Sequence, residues 1–184
     1  MENKNTISVV LPIKSGKARN FEDYFNKCIT SVKNQKDFVN ELVIVYCDET
    51  DLTDHINSYD FEGLNVVKLV WEKEPNFADQ VNYGVSSANS TWVSLLEFDD
   101  EYSNVWFKNA SKYMEIYKNV GAFLPIVVDV NDQGVFVGFT NEATFAANIS
   151  QDMGVLTNET LLNYQNFQIS GLVIKKEEFI NNGG

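Results

Sequence analysis

Residues 92–103 read Trp-Val-Ser-Leu-Leu-Glu-Phe-Asp-Asp-Glu-Tyr-Ser, an apolar run that ends abruptly in carboxylates. Val93, Leu95 and Leu96 suit a central strand covered on both faces, where near-continuous apolar sequence is expected. Side chains alternate along a strand, so Glu97 and Asp99 should leave one face and Phe98 the other, with Asp100 starting the turn. Like charges packed this closely raise one another's pKa, and each resists ionising. A divalent cation reverses that penalty, and carboxylate oxygens are hard ligands suited to Mg²⁺, Mn²⁺ or Ca²⁺. A blander reading stands beside it. The chain carries 26 acidic residues, and Asp-Asp-Glu on a solvated turn needs no metal.

The surrounding pattern places that cluster. The first strand is read at 7–13. A helix follows, with Phe21, Phe25, Cys28 and Val32 on one stripe and Asn20 as its N-cap. Strands follow at 42–47 and 65–70. Asn76 opens a helix with Phe77, Val81, Val85 and Ala88 inward. The fourth strand covers 92–98, and a helix covers 105–118. This alternation predicts an α/β fold with a mostly parallel sheet. The pattern then changes. Segments 122–130 and 135–139 flank Asn131-Asp132-Gln133-Gly134, the signature of a hairpin turn. Residues 141–168 read as a long polar loop with short helices. A strand returns at 169–174 and a helix at 175–180. In open α/β sheets, ligands bind beyond the carboxyl ends of the strands, where 97–100 fall.

With 184 residues and 44% hydrophobic content, the chain is expected to form one globular domain over 1–184. Net charge is 14 − 26 = −12, which argues against non-specific binding to nucleic acid or anionic membranes. Seven of the 14 basic residues precede Asp37, among them Lys14, Lys17 and Arg19. They could face an anionic ligand or simply solvate the surface. Cys28 and Cys47 match no metal spacing and read as reduced core thiols. No signal peptide or transmembrane run is visible, so a cytoplasmic protein is expected. His55 is the only histidine and follows a polar stretch. It reads as a surface residue, which disfavours Ser-His or Cys-His chemistry.

Known phosphate loops can be tested one by one. Gly16-Lys17 is followed by Ala18 and lacks the glycine a Walker A loop requires. Pro12-Ile13-Lys14-Ser15-Gly16 does not supply Gly-x-Gly-x-x-Gly. A nucleotidylyltransferase would also use a Gly-rich first loop.

The remaining pattern resembles a family 2 glycosyltransferase of the GT-A fold. The family's strand ending Pro-x-x-Asn corresponds to Leu11-Pro12-Ile13-Lys14, and its helix motifs to Cys28-Ile29-Thr30-Ser31 and Asn34-Gln35. Its Asp-Asp-Gly-Ser-Thr-Asp corresponds to Tyr46-Cys47-Asp48-Glu49-Thr50-Asp51, and Arg-Asn-x-Gly to Val81-Asn82-Tyr83-Gly84. Its Leu-Asp-x-Asp-Asp corresponds to Leu96-Glu97-Phe98-Asp99-Asp100. Late in the family comes Gly-Gly-Phe; here Gly171-Leu172-Val173-Ile174 leads to Phe179 and Gly183-Gly184.

The resemblance implies a GT-A-type, Rossmann-like, mostly parallel sheet flanked by helices, with a small antiparallel hairpin. It implies transfer of a sugar from a nucleoside diphosphate donor, a UDP-sugar, to an unidentified glycan, lipid or protein acceptor. Asp99, Asp100 and Glu97 would hold Mn²⁺ or Mg²⁺. Pro12, Ile13, Lys14, Asp48, Asn82, Glu97 and Phe98 would surround the nucleotide. The alternative is a non-catalytic nucleotide- or glycan-binding module on the same fold. Three departures bear on the choice: Cys47 stands where the family has its nucleotide-contacting Asp, Val81 replaces Arg, and Glu97 replaces Asp. In inverting members a carboxylate beyond Gly-Gly-Phe is the general base. The chain is therefore expected to lack its C-terminal acceptor and base segment, and the catalytic base is unassigned.

Overall fold

A computed structural model describes residues 6–141 and 168–184. The chain divides into two compact units, Met1–Phe123 with Ser170–Gly184, and Leu124–Ile169.

In the first unit, β1 (Ile7–Ile13) is buried along its whole length. It lies between two parallel neighbours, β2 (Val39–Cys47) and β4 (Trp92–Leu95). Its sequence, apolar but for Ser8, follows from helices covering both faces. β3 (Val66–Trp71) pairs in parallel with β2 and forms an edge. β5 (Ala122–Phe123) forms the other edge. Between β5 and β4 runs the antiparallel strand β8 (Val173–Lys175), giving the order β3-β2-β1-β4-β8-β5. The expected α/β class, a mostly parallel sheet flanked by helices, is what the chain adopts.

α1 (Phe21–Lys33) buries Phe21, Phe25, Cys28 and Val32, as its spacing predicts. Glu22 and Asp23 favour its first turn electrostatically. Asn20, expected as a side-chain cap, instead takes a left-handed backbone (φ 59°) and makes no cap hydrogen bond. α3 (Phe77–Ser87) is capped as expected, with Asn76 Oδ1 accepting the Asp79 N–H at 3.1 Å. Gly84 is the closest approach of α3 to the sheet. A Cβ there would lie 2.5 Å from Val10 Cγ1 and 3.0 Å from Val45 Cγ2. α4 (Trp106–Ile116) buries Phe107, Ala110 and Met114. α5 (Lys176–Asn181) follows β8, and Lys176 Nζ donates to Ser86 O and Ala88 O at the end of α3.

Four expectations need correction. α2 (Thr50–Ser58) was not foreseen; only Leu52 and Ile56 are buried on this polar helix. β4 stops at Leu95, so the alternation predicted for Glu97, Phe98 and Asp99 does not hold. The strand expected over 122–130 is split around Pro125, whose ring supplies no N–H for a ladder. The strand expected from 169 begins at Val173, because Gly171 turns the chain at φ +87°.

At the amino ends of β1 and β2, the buried Glu41 carboxylate accepts from Ser8 Oγ at 2.6 Å and from Asn89 Nδ2 at 3.0 Å. It also accepts the backbone N–H of Asn89. Burial would raise its pKa, but these donors and Lys176 bring it below the ordinary value.

In the second unit, β6 (Val127–Val130) and β7 (Phe136–Thr140) form an antiparallel hairpin. Asn131 Oδ1 accepts from the N–H groups of Gln133 and Val135, and Gly134 supplies a positive φ of 74°. Asn141 hydrogen-bonds Pro125 O and both backbone groups of Gln168. The polar stretch read at 141–168 lies, apart from its two ends, outside the described residues. Among the described residues, no helix is long and apolar enough to cross a membrane.

Candidate functional site

The acidic turn is held from several sides. Leu96 N–H donates to Val10 O at 3.0 Å, extending the β1–β4 pairing by one bond. Glu97 N–H donates to Ser170 Oγ at 3.2 Å. Glu97 carbonyl accepts the Asp100 N–H at 3.1 Å and the Cys28 thiol at 3.6 Å. The Phe98 ring lies 5.2 Å from Phe21, anchoring the turn to the start of α1. Tyr102 follows, buried, with its hydroxyl 2.8 Å from Ser94 Oγ and its N–H donated to Ser31 Oγ.

This scaffold presents three carboxylates. Asp99 is exposed; Glu97 and Asp100 are half-buried. Burial raises the Glu97 pKa, and Asp100 and Asp99 add to the rise against the pull of Lys14. Burial likewise drives the Cys28 thiol strongly up, with Asp100 and Asp99 contributing. Cys28 is therefore a neutral core thiol, as expected.

A cavity of about 350 Å³ opens beside the turn. It is lined by Pro12, Lys14, Ser15, Lys17 and Ala18 after β1, by Phe77 of α3, and by Glu97 and Phe98. Apolar walls with two ammonium groups and one carboxylate suit a flat ring bearing an anionic tail. Of the expected nucleotide residues, Pro12, Lys14, Glu97 and Phe98 meet here. Ile13 is fully buried and does not line this cavity; its carbonyl accepts Gln80 Nε2 at 3.1 Å.

Asp48 lies elsewhere. It lines a larger cavity of about 880 Å³ with Glu49, Asp51, Glu22 and Asp23. Lys17 and Ala18 border both spaces. Asn82 lines neither cavity and lies against Gly184. Val81 is buried in the core. His55, read as a surface residue, packs its ring 5.6 Å from Phe21 and 5.2 Å from Phe25.

Two residues escaped the sequence reading. Phe77, expected to point inward, lines the cavity. Gln80 is fully buried, and its Nε2 also reaches Val45 O at 3.4 Å and Cys47 Sγ at 3.7 Å. Its position three residues after Phe77, on the apolar face of α3, was the available signal.

Among the described residues, no three His, Cys, Asp or Glu side chains are grouped as a metal cage. The turn does not fit an ion held by protein alone. Clustered carboxylates on one turn do fit a hard cation that takes its other ligands from diphosphate and water, the usual habit of Mg²⁺.

The model of the family described as glycosyl transferase family 2 matches residues 8–166. The chain belongs to glycosyl transferase family 2. No curated protein sequence matches it. Its GT-A-type fold is shared with S. aureus TarS 1-349, at a TM-score of 0.70 and 20% identity over 96% of this chain and 49% of that one. The same TarS fragment in complex with UDP aligns at a TM-score of 0.67, with 20% identity, over 96% and 48% of the two chains. Its complex with UDP-GlcNAc aligns at 0.56, with 24% identity, over 71% and 36%. This family 2 chain therefore spans about half the length of the TarS fragment it matches. A 4-diphosphocytidyl-2C-methyl-D-erythritol synthase from Anaerococcus prevotii aligns at 0.51 and 10% identity, over 99% and 80%.

Proposed function

We propose that this chain is the donor-binding part of a glycosyltransferase that moves a sugar from a UDP-sugar to a glycan, lipid or protein acceptor. The observation that carries this reading is the cavity itself. It joins the Pro12–Lys17 loop to Glu97 and Phe98 at the carboxyl ends of β1 and β4. Phe77, Phe98 and Pro12 form walls for the base. Lys14 and Lys17 supply positive charge for the diphosphate. The TarS complexes with UDP and with UDP-GlcNAc support a uridine nucleotide as the donor's carrier.

Glu97, Asp99 and Asp100 are the residues that would hold Mn²⁺ or Mg²⁺ together with the diphosphate. Such a cation neutralises the departing nucleoside diphosphate. The chain's own part is to bind and orient the donor; none of the described residues is assigned as the base that activates the acceptor. Calorimetry with UDP and Mn²⁺ tests the reading. Binding that Asp99→Ala weakens supports it, and absence of UDP binding by folded protein rejects it.

A non-catalytic module on the same fold is the second reading, favoured by Asp48 facing the other cavity and by Val81 in the core. Hydrolysis of UDP-GlcNAc to UDP by the protein, lost in Asp99→Ala, would eliminate it.

A further inference from the structure

We propose that Ser170 is a positioning residue for Glu97, and that the Ser170-Gly171 turn sets where the Glu97 carboxylate meets a cation–diphosphate pair. The inference rests on the donor reading above.

Glu97 is the one carboxylate of the turn that lines the smaller cavity. Its side chain can be no better placed than its backbone. β4 ends at Leu95, so Glu97 lies beyond the strand that would have fixed it. Ser170 supplies what the strand does not, accepting the Glu97 N–H at 3.2 Å. Ser170 is 5% exposed, so water scarcely competes for that bond.

The hydroxyl is itself located by its neighbours. Gly171, at φ +87°, turns the chain so that its N–H reaches Leu95 O at 2.7 Å. Its carbonyl accepts Trp106 Nε1 at 2.9 Å. Leu172 O accepts the Leu95 N–H at 3.0 Å. These three bonds secure the segment to β4 and α4 without the serine hydroxyl. The hydroxyl adds one bond, and that bond goes to Glu97. A group that only tied the segment down would have no need to reach residue 97.

Free Mn²⁺, followed by electron paramagnetic resonance, gives the affinity of the protein–UDP complex for the ion. Ser170→Ala is expected to weaken Mn²⁺ binding roughly tenfold, the scale found for partners that orient metal ligands. Ser170→Thr, which keeps the hydroxyl, should restore most of it. Ser170→Ala added to Glu97→Gln should cost nothing further, because Ser170 acts through Glu97. Parental Mn²⁺ affinity in folded Ser170→Ala, or a loss that adds in full to that of Glu97→Gln, overturns the proposal. If Glu97→Gln itself binds as the parent does, or the parent shows no UDP-dependent Mn²⁺ binding, the donor reading falls with it. Should Ser170→Ala not fold, Trp106→Phe removes the indole N–H that holds Gly171 and keeps a smaller aromatic ring in its place. It should then show a smaller loss in the same direction, and an unchanged affinity rejects the idea.

Discussion

Gln80 Nε2 donates to the carbonyl of Ile13 at 3.1 Å, so a side chain of α3 holds the end of β1 in place. The same nitrogen reaches Val45 O on β2, while Gln80 Oε1 has no partner among the described groups. One amide thus ties two strands together beneath the loop that borders the smaller cavity.

Gln80→Leu keeps the volume and removes the donor. It should destabilise the fold by roughly 1–2 kcal/mol, the range for stranding buried carbonyls, with relief of the unpartnered oxygen offsetting part of the loss. Urea unfolding measures this. Unchanged stability would show that the Ile13 carbonyl does not depend on Gln80.

Gly84→Ala meets Val10 Cγ1 at 2.5 Å. The gain in helix propensity is about 1 kcal/mol, whereas overpacking a core costs roughly 1–3 kcal/mol. The expected outcome is a net loss of stability that Val10→Ala partly reverses. Simple additivity of the two substitutions would rule out the contact as the cause.

Glu41 has a folded pKa below its ordinary value. Its contribution is therefore present above the unfolded pKa, near 4.5, and is lost as pH falls through the folded pKa. Glu41→Gln should cost about 2 kcal/mol at pH 7, from hydrogen bonds to a buried charge. The gap between variant and parent should shrink below pH 4.5 in thermal melts. A gap that stays constant with pH would count against the charged form as the stabilising one.

Glu97 has the opposite sign. Burial, then Asp100 and Asp99, raise its pKa. Its share of stability is fully present below the unfolded pKa and is lost as pH rises through the higher folded pKa. Glu97→Gln should therefore melt higher than the parent at pH 7, with the advantage disappearing near pH 4. The same variant should bind UDP with Mn²⁺ less well. A melting temperature equal to the parent's at pH 7 would show that the turn carries no electrostatic strain.

The parts legible in sequence were those where one signal dominated. β1 is buried throughout and apolar but for Ser8, so its bounds could be read directly. α1 and α3 show long apolar stripes. α2 could not be read, because two buried residues in nine make no periodic signal against its polar background. The apolar run hides the end of β4, because Leu96, which keeps one bond to Val10 O, continues it past the last strand residue. In the site, the ordered motifs brought Pro12, Lys14, Glu97 and Phe98 to one cavity. They could not tell that Asp48 faces another space, since loop direction after β2 depends on the unread helix α2. Asn82-x-Gly84 also changed meaning. Gly84 permits close helix–sheet packing, and Asn82 packs against Gly184.

The sheet order carries a consequence for how the chain assembles. β4 has its second neighbour in β8, whose Lys175 pairs with Trp92 across 83 residues of sequence (175 − 92). Among the described residues, β5 joins the sheet through β8 alone. Until residues 173–175 arrive, one flank of β4 presents unpaired backbone, and β5 has no strand to join. Closing so long a separation is slow, and open strand edges invite pairing with other chains. During synthesis the parallel half, β3-β2-β1-β4, can form early, while the flank beside the acidic turn is sealed last.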